Sequence, residues 1–357
     1  MKILVVSNMY PSENDPVYGT FIETFVHEIS KRNKNGITEL VVIRGRTESL
    51  IHKVFKYIKF YLQSFFKPLF NNYDIVYVHF LTYSPVLLNC LSLFKRLPIV
   101  VNLHGGDVLT RSKFAECLKK FNRPLLSKSR LIVSPSYYFK NVILHEFPEI
   151  ESSKIYVSPS GGVDTGTFTS EEYKIKDTYK IGYVGRIDEG KGWDIFIEMV
   201  KQVKELGYNI KAEIVGRGSQ TCLLNKKLDE YKSDSYMCYL GAVPYRDLPP
   251  IYSSFDLFIF PTQLPESLGL VAIEAMACGV PVVGTRIGGL QDYIKDGING
   301  FLVSGNRAED YCDAIKRYIN LTCDEKMAMR SQARLTSLEY DSKKVFNDLF
   351  IQLQQVK

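Results

Sequence analysis

The sequence predicts an α/β protein made of two Rossmann-like, doubly wound parallel-sheet domains facing a deep interdomain cleft, and three observations carry that expectation. The chain has 357 residues, too many for one ordinary hydrophobic core and about right for two. Short apolar runs alternate with longer segments of helical spacing, the cadence of βαβ units in a parallel sheet. The cadence breaks at a Ser-, Gly-, Thr- and Asp-rich stretch, Ser158–Ser170, and then restarts.

In chain order, the first set of strands is expected at Ile3–Ser7, Glu39–Ile43, Ile75–His79, Ile99–Leu103 and Leu131–Ser134. The helix after the first strand begins near Thr20, directly behind Gly19. The second set is expected at Lys180–Val184, Lys211–Val215, Ser235–Tyr239, Leu257–Phe260, Val280–Val283 and Gly300–Val303. These runs divide the chain into a first domain over 1–165 and a second over 178–335, with 336–357 packing back toward the first. The last helix, Asp341–Lys357, carries Val345, Phe346, Leu349, Phe350 and Leu353 at the spacing of a helix buried on one face. Open α/β sheets bind ligands at the carboxyl ends of their strands, so the cleft is where chemistry is expected.

Composition narrows the partners. With 45% hydrophobic and 24% charged residues the chain is globular, and its net charge of +6 suits an anionic ligand or anionic membrane surface without the basic stripe of a nucleic-acid binder. Its seven scattered cysteines contain no CxxC pair, which predicts reduced thiols, a cytoplasmic setting and no zinc site. The opening MKILVVSNMY has too short an apolar run for a signal peptide, and no later run reaches the ~18 residues that a membrane crossing needs. The stretch Ile51–Phe70 interleaves four lysines with Phe and Tyr residues. It reads either as a helix in a membrane interface or against an amphipathic acceptor, or as an ordinary helix covering the first sheet.

The segment Pro261–Val283 carries the most chemistry. A loop ends a strand, a helix is expected to start near Ser267 as N-cap, and Gly279 stands where a helix stops before Pro281. Free amides of that first turn form an anion site. Glu266 falls in the loop and Glu274 about two turns into the helix. A loop carboxylate can stabilise positive charge at a sugar carbon, and one on the helix can accept hydrogen bonds from a ribose diol. On spacing alone, Glu274 reads more readily as a solvated or lysine-paired helix residue and Glu266 as an exposed loop acid.

The pattern Glu266-x7-Glu274 within ESLGLVAIEAMACGVPVVGTRIGGLQDYIKDGINGFLV resembles the signature of the GT4 family of retaining GT-B glycosyltransferases (glycosyl transferases group 1). The resemblance extends to IGYVGRIDEGKGWDIFIEM, PSGGVDTGTF and HGGDV, in the family order. It implies a hexosyltransferase-type transfer of a sugar from a nucleotide-sugar, a UDP-sugar before GDP-mannose, with retention of configuration and without metal or other cofactor. Arg186 and Lys191, near Gly185, match the cations on the donor pyrophosphate, and Glu274 matches the acid on the nucleotide ribose. Glu266 matches the acid beside the reacting sugar carbon, with Ser267 and the amides of Leu268 and Gly269 in the same donor loop. His104 matches the histidine that contacts the donor sugar, Asp107 orients its loop, and Gly19 stands in the loop closing on phosphate and acceptor. Here the family often has two adjacent glycines where this chain has Tyr18-Gly19.

The acceptor expected from the charge and the 51–70 segment is a lipid-linked glycan in cell-surface polysaccharide synthesis, handled at the inner face of the cytoplasmic membrane with peripheral contact to anionic lipid. Rival readings are weaker. A nicotinamide oxidoreductase needs GxGxxG after the first strand, and SNMYPSENDPVYG has none. A P-loop needs Ser or Thr after Lys191, where Gly192 stands. A non-catalytic nucleotide- or sugar-binding subunit is the remaining alternative.

Overall fold

The structure, a computed structural model, describes residues 1–16, 18–47, 49–109, 112–170, 176–231 and 236–357. It divides into two compact units, Met1–Gly161 with Lys343–Lys357, and Gly162–Ser342.

The first unit holds β1 (Lys2–Tyr10), β2 (Ile37–Arg44), β3 (Ile75–His79), β4 (Ile99–Asn102), β5 (Leu131–Ser134) and β6 (Ile155–Val157). They form one six-stranded sheet in the order β2-β1-β3-β4-β5-β6, with every named pair parallel. Its helices are α1 (Thr20–Arg32), α2 (Leu50–Phe70), α3 (Val86–Leu91), α4 (Gly105–Val108), α5 (Lys113–Lys128), α6 (Tyr137–Glu146) and, from the chain end, α14 (Ser342–Gln355). Alternation along β1 makes the two faces. Leu4 and Val6 join Phe60 of α2 and Leu125 and Leu126 of α5 in one core. Ile3 and Val5 join Phe25 and Ile29 of α1 and Phe346, Leu349 and Leu353 of α14 in the other. The buried side chains of α14 are each worth about 1.5–3 kcal/mol, enough to fix the chain end on this sheet.

The second unit holds β7 (Tyr179–Val184), β8 (Ile210–Val215), β9 (Met237–Gly241), β10 (Leu257–Phe260), β11 (Val282–Thr285) and β12 (Gly300–Val303). They are ordered β12-β11-β10-β7-β8-β9, again in parallel pairs. Its helices are α7 (Trp193–Glu205), α8 (Thr221–Glu230), α9 (Leu248–Ser253), α10 (Leu270–Ala277), α11 (Leu290–Tyr293), α12 (Ala308–Ile319) and α13 (Cys323–Leu338).

Several expectations are corrected. The sixth strand of the first sheet, β6, is only three residues long, too short to show a period in sequence. β11 begins at Val282, because Pro281 has no amide to give a ladder, and β9 runs to Gly241. Ser235, the expected start of β9, lies outside the described residues. The first unit stops at Gly161, not at 165, because Val163 pairs with Tyr340 and Ser342 through backbone bonds of 2.9 Å each and Thr165 donates to Asp341 at 2.6 Å. The same bonds keep residues 336–342 in the second unit.

Helix α2 covers the first sheet, as one of the two readings of Ile51–Phe70 expects, and it also leaves apolar side chains exposed. α2 buries Phe60, Ser64 and Pro68 on the first sheet, while Ile51, Val54, Phe55, Ile58, Leu62, Phe66 and Phe70 are exposed. Those positions recur at three and four residues, so they form a second apolar stripe facing outward. Among the described residues no helix is long and apolar enough to cross a membrane.

Candidate functional site

In the second sheet the strand order reverses between β7 and β10. Helix α7 packs in the core on one face and α10 in the core on the other, so the loops leaving these strands diverge and open a crevice at their carboxyl ends. The loop 185–192 leaves β7 and the loop 261–269 leaves β10. They are stitched together at Gln263 N, which donates to Gly190 O at 2.8 Å. Across this seam Lys191 Nζ meets Glu266 Oε1 at 2.5 Å, and Thr262 Oγ1 donates to the same oxygen at 3.1 Å. The two charged side chains are only 15% and 18% exposed, so each holds the other where water is scarce.

Two further loops brace the seam. From the β8 side, Gly185 N donates to Val215 O at 3.0 Å, Gln220 N to Ile187 O at 2.9 Å, and Trp193 Nε1 to Gln220 Oε1 at 2.9 Å. From the β11 side, Gly289 N donates to Glu266 O at 2.8 Å. Gly288 has φ +64°, and a Cβ there would stand 2.5 Å from Glu266 O and 2.7 Å from Glu266 N. The backbone that aims Glu266 is therefore packed against glycine.

Arg186 does not join Lys191 as a pair. It is 70% exposed and lies 3.0 Å from Asp188 Oδ2. Asp188 accepts bonds from Ser219 N and Oγ at 2.8 and 2.9 Å, and the backbone bond leads the causes that hold its pKa below the usual carboxylate range. Arg186 is thus an exposed cation beside a fixed acid, whereas Lys191 is held by Glu266.

Helix α10 starts later than its sequence suggests. α10 begins at Leu270, with Gly269 as N-cap at φ 87° and no side-chain cap, so Ser267 is a half-buried loop residue and not the cap. Gly279, at φ 71°, ends the helix as expected. Leu268 is 2% exposed and anchors the loop in the core, leaving its backbone as the part able to face a ligand. The first intrahelical bond runs from Ala272 N to Gly269 O at 3.1 Å, so the amides of Leu270 and Val271 precede it and are open to an anion. At the other end, Arg334 Nη1 donates to Ala277 O at 2.6 Å, complementing the helix dipole and fixing α10 in place.

Glu274 is neither solvated nor lysine-paired. It is buried on α10, and Tyr252 Oη donates to its Oε2 at 2.8 Å. Burial pushes its pKa up to about 7, against the lowering by hydrogen bonds from Tyr252 and Tyr245. A carboxylate has about four acceptor positions, so two phenols leave room for a diol. Because the folded pKa exceeds the ordinary 4.5, the native state holds more protons in between, and this group's contribution to stability falls as pH rises from 4.5 to about 7. Glu274→Gln is expected to gain up to about 3 kcal/mol on the native protein at pH 8 and nothing at pH 4. Urea unfolding at the two pH values measures this; equal stability at both would remove the charge penalty from Glu274.

In the first unit the strand order reverses between β1 and β3. Gly19 N-caps α1 beside this point with φ 79°, and a Cβ on it would stand 3.0 Å from Met9 C and Tyr10 N. The single glycine therefore suffices for the close approach of the helix to β1. His104 follows β4, and Asp107 accepts from His104 N at 3.0 Å and from Thr82 Oγ1 at 3.1 Å, which fixes the HGGD turn. His104 Nε2 lies 3.4 Å from Nδ1 of His79, the last residue of β3. Burial lowers the His104 pKa to about 4 and holds His79 well below its ordinary value, so both rings are neutral at pH 7. Phe80 covers His104 at 4.4 Å between ring centroids and adopts φ 67°, a strained conformation for a non-glycine residue.

Thr262, Tyr252, His79 and Gly288 are thus site residues that the sequence reading passed over. Only two left a signal: His79 ends an apolar strand, and Gly288 opens a glycine pair inside the resembling segment. Among the described residues no group of three or more His, Cys, Asp or Glu side chains could hold a metal ion.

Comparison with known proteins agrees with this architecture. Over its whole length the structure matches HepE of Anabaena in complex with UDP, with a TM-score of 0.77 at 19% identity over 99% of this chain and 100% of that one. It matches sucrose-phosphate synthase of Thermosynechococcus elongatus at TM-score 0.79 and 16% identity, over 99% and 98%. At such identities these likenesses show the GT-B fold. In sequence, D-inositol 3-phosphate glycosyltransferase of Pseudarthrobacter chlorophenolicus is 30% identical over 201 residues, covering 53% of this chain and 47% of that protein. The chain thus spans about half the length of such relatives. Residues 22–166 match the model of Glycosyltransferase Family 4 and residues 167–336 that of Glycosyl transferases group 1, one after the other in the order the two sheets follow. By its two domains and its fold, the chain belongs to the GT4 family of GT-B glycosyltransferases.

Proposed function

We propose that this protein is a retaining glycosyltransferase that moves a sugar from a nucleotide-sugar, a UDP-sugar first and GDP-mannose second, to a glycan acceptor. The observation that carries the reading is the Lys191–Glu266 pair, held at the switch point of the second sheet beside the open amino terminus of α10. A cation and free amides suit a diphosphate, and Glu274 among tyrosines suits a ribose diol. When phosphate draws Lys191 away, Glu266 is released toward the sugar, where its charge offsets an oxocarbenium-like state.

Retention follows most simply from a same-face route, in which the donor phosphate helps deprotonate the acceptor hydroxyl. His104 is neutral at pH 7 and can exchange a hydrogen bond with a sugar hydroxyl without adding a charge. Charge stabilisation by Lys191, Arg186 and helix amides is proposed to serve without a divalent ion. The test is a panel of UDP- and GDP-sugars with glycan acceptors, each with and without EDTA, read by nucleoside diphosphate release and by the anomeric proton of the product. Transfer with the donor's configuration kept, and unaffected by EDTA, is expected. Inverted product, or activity abolished by EDTA, would overturn the corresponding part.

We further propose a lipid-linked acceptor met at the inner face of the cytoplasmic membrane, as in cell-surface polysaccharide synthesis. The outward apolar stripe of α2 supports contact with anionic lipid. Its Lys56 donates to Arg44 O and Gly45 O at 2.8 and 3.1 Å, bonds that orient it without cancelling its charge, so Lys53, Lys56 and Lys59 all offer charge to the surface. Replacing Phe55, Ile58 and Leu62 by serine is expected to reduce sedimentation with phosphatidylglycerol vesicles at least tenfold while leaving nucleotide affinity unchanged. Undiminished sedimentation would remove α2 from the interface.

A further inference from the structure

The first sheet has a second candidate site at its opposite edge, at the amino-terminal ends of the strands. There a cavity of about 660 Å³ opens where the residues after α3 meet the end of α5 and the first turns into β4 and β5. Lys95, Arg96, Lys128 and Arg130 line it together with Leu93 and Phe94. Among the described residues no ion pair engages these four cations. Instead, backbone carbonyls place three of them: Lys95 donates to Pro68 O at 2.8 Å, Lys128 to Ser92 O at 3.4 Å and Arg130 to Val356 O at 2.8 Å. Carbonyl bonds orient the cations but leave their charge uncancelled.

Beside this charge stand two apolar side chains exposed far beyond what packing needs, Leu93 at 67% and Phe94 at 87%. They adjoin the end of α2, because Lys95 also donates to Leu69 O at 3.1 Å, next to Phe70 at 77% exposure. The outward stripe of α2, about 30 Å long at 1.5 Å per residue, therefore ends at the rim of the basic cavity. A long apolar stripe that ends at clustered cations matches a bilayer surface, with apolar side chains at the acyl boundary and cations at phosphate depth.

We propose that this cavity is a headgroup site, which takes the phosphate of an anionic lipid between Arg96, Lys128 and Arg130 while Leu93 and Phe94 enter the acyl boundary. The proposal rests on the membrane contact proposed above and adds a specific phosphate site to it, away from the residues assigned to the donor.

The test is co-sedimentation of the full chain with phosphatidylcholine vesicles, with and without phosphatidylglycerol, for the native protein, for Arg96→Gln/Lys128→Gln/Arg130→Gln and for Leu93→Ser/Phe94→Ser. All five side chains are exposed, and circular dichroism with unchanged nucleotide affinity verifies that the variants fold. At about 1 kcal/mol per charge, the triple variant is expected to bind anionic vesicles on the order of a hundredfold more weakly. Leu93→Ser/Phe94→Ser is expected to weaken binding about tenfold or more, and the triple cation variant should leave binding to neutral vesicles unchanged. A native protein that ignores anionic vesicles would overturn both the membrane contact and this site. Native binding that the triple variant retains in full would overturn this site alone and leave the contact to α2. Full competition by inorganic phosphate, or loss in the triple variant of affinity for a DNA oligonucleotide with vesicle binding intact, would overturn the assignment to a lipid.

Discussion

Glu266→Gln is expected to lower sugar transfer by about two to three orders of magnitude while changing nucleoside diphosphate affinity only a fewfold. Glutamine keeps an acceptor for Thr262 and can still meet Lys191, so the seam between the two loops survives and only the charge is lost. Alanine is a different experiment. It leaves Lys191, 15% exposed, without its counter-ion and with a cavity beside it, so nucleotide affinity and stability both change. Because the two side chains share one bond, their effects should be non-additive, and the double variant with Lys191→Met should fall well short of the product of the singles. Steady-state transfer and calorimetric binding on the four proteins read this out. Additive losses would mean that the pair acts as two independent groups.

Gly288→Ala is expected to cost at least tenfold in transfer although the residue bears no chemical group. The left-handed backbone costs an alanine roughly 1–2 kcal/mol, and its methyl would stand 2.5 Å from Glu266 O. The contact is backbone, so relief must come from movement of the Glu266 loop, and a shift of about 1 Å is enough to misplace a catalytic group by a hundredfold in rate. Native thermal stability together with full activity would show that the loop has room to move and that Gly288 does not set its position.

Much of this was legible in the sequence because parallel strands buried on both faces are written as unbroken apolar runs, and the loops after them fall at their carboxyl ends. The short strand β6 left too few residues to carry a period. The start of α10 was misread because Ser267 has the chemistry of a cap, while the actual cap, Gly269, acts through a left-handed backbone. Glu274 could not be placed by spacing, since its burial depends on Tyr252, twenty-two residues away in sequence and brought to it by α9. The direct bond between Lys191 and Glu266 was equally hidden. Resemblance gave the two residues separate partners, and only the neighbouring positions of β7 and β10 in the sheet bring them to 2.5 Å.

The most direct test of the central claim, that the second unit's strand ends hold a nucleoside diphosphate through Lys191, α10 and Glu274, is calorimetric titration of UDP, GDP and ADP into native protein, Lys191→Met and Glu274→Ala, in EDTA. The native protein is expected to bind one nucleoside diphosphate, and each variant is expected to lose at least tenfold in affinity. No binding to any of the three, or equal affinity in all three proteins, would contradict it.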